Sequence, residues 1–346
     1  MPGGLEVFHA GTVIPAHPLA LTADRRLDES RQRALTRYYI EAGAGGVAVG
    51  VHTTQFAIHD ASTGLLRPVL ELAARTAAEY EDREVLLVAG VYGATGQAVA
   101  EAELAAALGY DAALVPPEPG MDEHELLARA ERIGEVLPVI GFYLQPAVGG
   151  RLLGRDFWAQ LAALDRVVGI TVAPFDRYAT LDVLHGVASS GRAEQIALYT
   201  GNDDNILADL ATAHRFTVDG RQVELPFVGG LLGQWAVWTR RAVELHSLAR
   251  GARGGDDAAL RQLLALNGQV TDANAAIFDA ANGFAGCIPG IHEVLRRQGL
   301  LAGRWCLDPA EHLSPGQAAD IDRVITAYPH LADDDFVAAN VERWLT

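Results

Sequence analysis

The chain has 346 residues, half of them hydrophobic, with 44 acidic against 27 basic side chains and a formal net charge of −17 at pH 7. That is enough apolar material for one large domain or two ordinary ones, and the acidity argues against a nucleic-acid backbone or an anionic membrane surface as partner. No apolar run reaches the ~18 residues of a membrane span, and the start MPGGLEVFHAG lacks the basic and apolar stretches of a secretion signal, so a soluble cytoplasmic protein is expected.

In chain order, short β-rich runs occur at Thr12 to Pro15, Gly46 to Val51, Val85 to Val91, Ala112 to Val115, Pro138 to Tyr143, Val167 to Val172, Ile196 to Thr200 and Pro226 to Leu231. The segments between them have helical periodicity, for example Asp28 to Ala42, Gly96 to Leu108 and Glu123 to Ile133. Strands separated by helices of this length pair in parallel. Eight such units over about 250 residues predict an α/β fold, a closed (β/α)8 TIM barrel, over residues 1–250. An open doubly wound sheet competes, but no Gly-x-Gly-x-x-Gly follows the first run to mark a dinucleotide crevice. Residues 251–346 read as helices only, a C-terminal helical extension packed on the barrel. Cys287 and Cys306 fall within it without metal-type spacing and read as buried thiols rather than a disulfide.

In a barrel of this kind the reacting groups sit at the C-terminal ends of the strands and in the loops that follow. Gly50-Val51-His52-Thr53-Thr54-Gln55-Phe56 follows the second run and offers N–H and hydroxyl donors to an anion, although a polar loop that caps the next helix explains the same residues. The fifth run ends in Gly141-Phe142-Tyr143-Leu144-Gln145-Pro146 and places Tyr143 at the barrel mouth, where a tyrosine is more often a packed ring with a satisfied hydroxyl. Thr171 lies among apolar neighbours in the sixth run, which β-propensity alone accounts for. After the seventh run, Asp203 and Asp204 either face the site or cap the next helix. Gly229 and Gly230, in the eighth, let a backbone approach a ligand closely. Trp235 and Trp238, at i, i+3, read as packing against the barrel rather than a sugar platform.

Taken together, these segments resemble the dihydrodipicolinate synthase and N-acetylneuraminate lyase family over about Thr12 to Leu300. The anchors are the tyrosine ending the fifth strand and Val168-Gly169-Ile170 before position 171, and the spacing from Tyr143 to Thr171 equals that between the family's catalytic tyrosine and lysine. Phe142-Tyr143-Leu144-Gln145-Pro146-Ala147-Val148-Gly149-Gly150-Arg151 and Ala173-Pro174-Phe175-Asp176-Arg177-Tyr178 look like a less studied branch. The resemblance implies an aldolase or lyase of the Schiff-base type, in which a buried lysine condenses with a 2-oxo acid such as pyruvate and the iminium serves as electron sink. It implies no cofactor or metal, a homo-oligomer of two or four chains, Tyr143 as proton shuttle, and Thr53 or Thr54 as a loop hydroxyl on the substrate carboxylate. Gly50, His52, Gln145, Arg151, Asp203, Gly229 and Gly230 would surround the substrate.

This chain departs from that pattern where the chemistry is done. Its sequence contains no lysine, every basic residue being arginine, and the Schiff-base position is Thr171. A hydroxyl adds to a ketone only as a labile hemiketal, so Schiff-base activity is expected to be lost. Deliberate replacement and natural divergence both account for the threonine. The family's carboxylate-gripping arginine is Val148 here, with Arg151 the nearest substitute. The loop glutamate is missing, and so is a tyrosine near Pro116-Pro117-Glu118-Pro119. The sequence therefore supports a barrel acting on a 2-oxo acid or aldehyde without Schiff-base chemistry, with acid–base work by Tyr143, Asp203 and Arg177. A non-catalytic or regulatory binding barrel is the alternative, and a metal-dependent lyase or hydrolase built on His52, His59 and Asp60 is a third.

Overall fold

The computed structural model describes residues 3–346. Eight parallel strands form the barrel, and every expected run is one of them: β1 (Val13–Pro15), β2 (Gly46–Val49), β3 (Leu86–Gly90), β4 (Ala112–Val115), β5 (Val139–Leu144), β6 (Val167–Ala173), β7 (Ala197–Thr200) and β9 (Arg221–Leu232). Their order is β1-β9-β7-β6-β5-β4-β3-β2. The ring closes between its ends through a parallel bridge from Ala16 to Ala48, with His17 N–H donating to Ala48 O at 2.8 Å.

Side-chain alternation divides the apolar residues into two cores. Ile14, Ala48, Val88, Leu114, Ile140 and Tyr199 fill the barrel interior, while Val13, Val47, Val49, Ala89, Tyr143 and Val172 face outward onto the helices. Because both faces are buried, the strands read as continuous apolar runs rather than alternating ones. The helices of the barrel layer are α2 (Glu29–Ala42), α3 (Leu66–Ala77), α4 (Thr95–Ala107), α5 (Glu123–Gly134), α6 (Arg155–Ala163), α7 (Arg177–Ser189), α8 (Ile206–Ala211) and α9 (Thr239–Arg253). Several begin at an aspartate that satisfies an otherwise unpaired N–H. Asp28 accepts from Arg31 N–H at 3.1 Å, Asp176 from Ala179 N–H at 2.7 Å, and Asp122 forms a reciprocal capping box with Glu125.

Two elements lie outside the sequence-based expectation. Helix α1 (Gly4–Ala10) plugs the N-terminal end of the barrel. Its Phe8 ring stacks on Tyr199 at 4.5 Å, and the Tyr199 hydroxyl donates to Phe8 O at 2.7 Å. Strand β8 (Ala213–Val218) pairs antiparallel with the start of β9 across Asp219-Gly220, both in the left-handed region with φ of 50° and 75°, as a two-residue hairpin requires.

The extension comprises α10 (Asp257–Ile277), α11 (Cys287–Arg297), α12 (Gln317–Ala327) and α13 (Asp334–Trp344). It is not helical throughout: residues 298–316 form an irregular strap. The strap is tied to the barrel by Leu307 N–H on Gln55 Oε1 at 2.6 Å and by Arg25 Nε on Cys306 O at 3.0 Å. Both cysteines are free and buried. No helix among the described residues is long and apolar enough to cross a membrane.

Candidate functional site

A pocket opens at the C-terminal ends of the strands, where Ala16, Val51, Leu114, Phe142, Ala173 and Leu231 form its base and Phe278, Phe284 and Cys287 enter from the extension. Its cavity volume is only about 60 Å³, so it is a narrow cleft. Its polar lining is confined to His52, Thr53, Gln145 and Asp203, apart from backbone.

Each of these groups is held in a defined state. Thr53 is 2 % exposed, and its hydroxyl has no partner, so it is free to bind a ligand. Thr54 is already engaged: its hydroxyl donates to His17 O at 2.6 Å and accepts from Gly50 N–H at 3.0 Å and Val51 N–H at 3.2 Å. Of the two threonines, only Thr53 serves the pocket. Burial pushes the Asp203 carboxyl up to about 8, against its ordinary 3.8, although one oxygen accepts from Gln234 N–H at 2.9 Å. Asp203 is therefore protonated at neutral pH and presents a neutral acid to the cleft. Desolvation lowers His52 to about 4, which leaves its imidazole neutral at the same pH.

Thr171 and Tyr143 do not meet. Thr171 pairs in register with Phe142, and Tyr143 with Val172, so the two residues lie on opposite faces of the pleat. Thr171 shares the inward face with its partner Phe142 and is not itself part of the pocket lining. It is fully buried, with a hydroxyl that has no partner, and a Cβ built on the pocket-lining Gly201 would stand 3.0 Å from its methyl group. Tyr143 points outward. Its ring packs on Trp158 at 4.8 Å, and its hydroxyl lies 3.3 Å from Leu153 N and 3.5 Å from Leu153 O. Tyr143, the expected proton shuttle, thus lies outside the pocket lining, and its neighbour Phe142 lies in it.

Other expected site residues also serve structure. Arg151 reaches away from the pocket to donate to Met121 O. Gly229 and Gly230 admit the protein's own atoms rather than a ligand. A Cβ at Gly229 would meet Thr12 O at 2.2 Å, and one at Gly230 would meet the Trp235 ring at 2.7 Å. Trp235 and Trp238 are buried, in keeping with the packing expectation. Gly50, with φ of 76°, turns the loop so that its carbonyl accepts from His59 Nε2 at 2.8 Å, while His59 Nδ1 pairs with Glu101 at 2.9 Å. His52 faces the cleft and His59 is tied up behind it, so the two do not converge on one ion. No group of three or more His, Cys, Asp or Glu side chains suited to a metal occurs among the described residues. Arg177 is engaged with Asp209 at 2.6 Å and Asp204 at 3.5 Å and lies outside the lining that holds Asp203.

Sequence reasoning missed the aromatic rim. Phe175 and Phe284 adopt left-handed φ values of 53° and 69°, a conformation costing a bulky residue roughly 1–2 kcal/mol. Their rings meet edge to face at 5.5 Å. Phe175 N–H donates to Asn202 Oδ1 at 3.1 Å, and Asn202 is fixed by Asp209 at 2.9 Å and Thr180 at 3.2 Å. Phe284 N–H donates to Asp279 O at 3.0 Å. Phe278, Phe284 and Cys287 lie more than a hundred residues from Phe175, and no local pattern predicts that they meet it.

No family model and no curated protein matches the chain. Solved structures do. The N-acetylneuraminate lyase from Fusobacterium nucleatum complexed with pyruvate superposes with a TM-score of 0.73 at 19% identity, over 93% of this chain and 98% of that one. The dihydrodipicolinate synthase from Aquifex aeolicus gives 0.72 at 19%, over 93% and 99%. CdNal from Clostridium difficile, in complex with mannosamine, gives 0.73 at 18%, over 92% and 99%. At such identities the likeness establishes the fold: a (β/α)8 barrel with a C-terminal helical extension.

Proposed function

We propose that this chain is a barrel of the 2-oxo acid aldolase and lyase type which binds a small 2-oxo acid or aldehyde in the mouth pocket without attaching it covalently. One observation carries the reading: Thr171 is buried with an unpartnered hydroxyl and packs against the pocket-lining Gly201, in a chain with no lysine anywhere. The fold shared with a lyase solved in complex with pyruvate supports the substrate class, and the free Thr53 hydroxyl supports carboxylate binding at the loop after β2.

In this arrangement Thr53 donates to the ligand carboxylate. Asp203, protonated, donates to a carbonyl oxygen or supplies a proton, and neutral His52 accepts one. The site has the parts for acid–base work on an oxo acid but no amine to form an iminium, and loss of a covalent nucleophile typically costs orders of magnitude in rate. A homo-oligomer is part of the proposal. Light scattering at micromolar protein should show a dimer or tetramer, and a monomer would remove that part.

The test is calorimetric titration of the chain as it stands with pyruvate, other 2-oxo acids and small aldehydes, followed by borohydride treatment and peptide mapping. Reversible binding with no side-chain adduct is expected. Absence of binding across the panel would overturn the reading. A turnover assay on the same panel separates catalysis from the non-catalytic alternative.

A further inference from the structure

We infer that the mouth pocket selects a carbonyl compound with an apolar tail, namely an aryl- or branched-alkyl-substituted 2-oxo acid or the corresponding aldehyde, in preference to a polyhydroxylated or doubly charged one. This rests on the reading above and narrows its substrate class. Three observations carry it.

The walls are aromatic. Phe142, Phe175, Phe278 and Phe284 line the cleft and offer an apolar surface on which an aryl or alkyl group can pack. The polar complement is too small for a sugar. Beyond one or two donors for a carboxylate head, Gln145 and Asp203 are the main remaining side-chain partners, and each hydroxyl left unpaired in such a cleft lowers affinity. Among the described residues the lining contains no arginine, so a second carboxylate or a phosphate would find no counter-charge.

The rim also keeps its rings at the backbone's expense. Phe175 and Phe284 are half-buried over the mouth with φ of 53° and 69°, positions where glycine would sit without strain. Backbone strain of this kind collects at ligand clamps. Both conformations are enforced by the surrounding structure, through Asn202 Oδ1 on Phe175 N–H and Asp279 O on Phe284 N–H. The two rings then meet at 5.5 Å and 73°, forming a corner against which an apolar tail can lie.

The same geometry supplies the test, because Phe284→Gly and Phe175→Gly each remove a ring while suiting the left-handed backbone. The full chain and both variants are titrated calorimetrically at pH 7 with phenylpyruvate, 4-methyl-2-oxopentanoate, pyruvate, phenylacetaldehyde and a hexosamine. The inference expects phenylpyruvate to bind at least ~10-fold tighter than pyruvate, the worth of burying a modest apolar area, with the hexosamine not bound. In either glycine variant the preference should collapse to within about 3-fold. Pyruvate binding as tightly as phenylpyruvate, or hexosamine binding better than both, overturns the inference while leaving the 2-oxo acid reading in place. Phenylacetaldehyde binding with no 2-oxo acid bound upholds the apolar selection and overturns only the 2-oxo acid half of that reading, leaving the aldehyde half. No binding by any probe overturns both.

Discussion

Thr53 and Thr54 are adjacent, similarly buried and chemically identical, yet they have opposite roles. The Thr54 hydroxyl satisfies two backbone N–H groups and one carbonyl, whereas the Thr53 hydroxyl satisfies none. Thr54→Val should therefore destabilise the fold by about 2–3 kcal/mol, because it orphans buried partners. Thr53→Val should leave stability unchanged or raise it by about 1 kcal/mol, while weakening 2-oxo acid binding. Urea unfolding of the two variants beside the parent checks the contrast, and equal losses would refute it. Asp203 makes a second prediction at this scale. Its carboxyl binds a proton up to about pH 8 in the folded chain, against an ordinary value of 3.8. Stability thus falls as pH rises from near 4 to near 8, because the unfolded chain releases the proton first, and it levels off above that window. In thermal melts, Asp203→Asn should gain on the parent across this range and then hold a constant lead. Parallel curves would show that Asp203 is not buried in this way. A carboxylate ligand should also bind less well above pH 8, where Asp203 ionises beside it.

The barrel elements were legible in the sequence because strands buried on both faces appear as apolar runs between amphipathic helices, and all eight runs proved to be barrel strands. Side-chain direction was not legible. A one-residue difference in alternation decides whether Phe142 or Tyr143 faces inward, and matching the Tyr143 to Thr171 spacing to a lysine enzyme favoured the tyrosine. Register settles it, since Thr171 pairs with Phe142 and Tyr143 with Val172. Helix α1 escaped notice because seven residues offer too little periodicity, and β8 because its strand is half-exposed and ends in an Asp-Gly turn that went unused. Helix α1 nevertheless matters to the fold. Phe8 is fully buried and seals the barrel end opposite the pocket, so Phe8→Ala should cost about 3–5 kcal/mol in denaturant unfolding. A loss below about 1 kcal/mol would mean that the plug is dispensable.

At the scale of the whole molecule, the extension is part of the site. Phe278, Phe284 and Cys287 line the pocket, Asn274 donates to Gln234 at 3.0 Å, and Gln234 N–H in turn holds Asp203. Phe142 and Phe175 come from the barrel, and Phe278 and Phe284 from the extension complete the aromatic lining. The sequence revealed that helices follow the barrel, but not that they cross its mouth, because contacts between segments so far apart leave no local pattern. Thr171 packs against Gly201 of the pocket lining, which makes position 171 the place to test the proposed chemistry.

The most direct test is therefore the intact mass of Thr171→Lys and of the parent after incubation with pyruvate and borohydride, with peptide mapping to set aside the α-amine. A stable adduct is expected at residue 171 in the variant and none on any side chain of the parent. A variant that folds and binds pyruvate yet gains no mass at residue 171 would contradict the claim that this position is the vacated centre of a Schiff-base site.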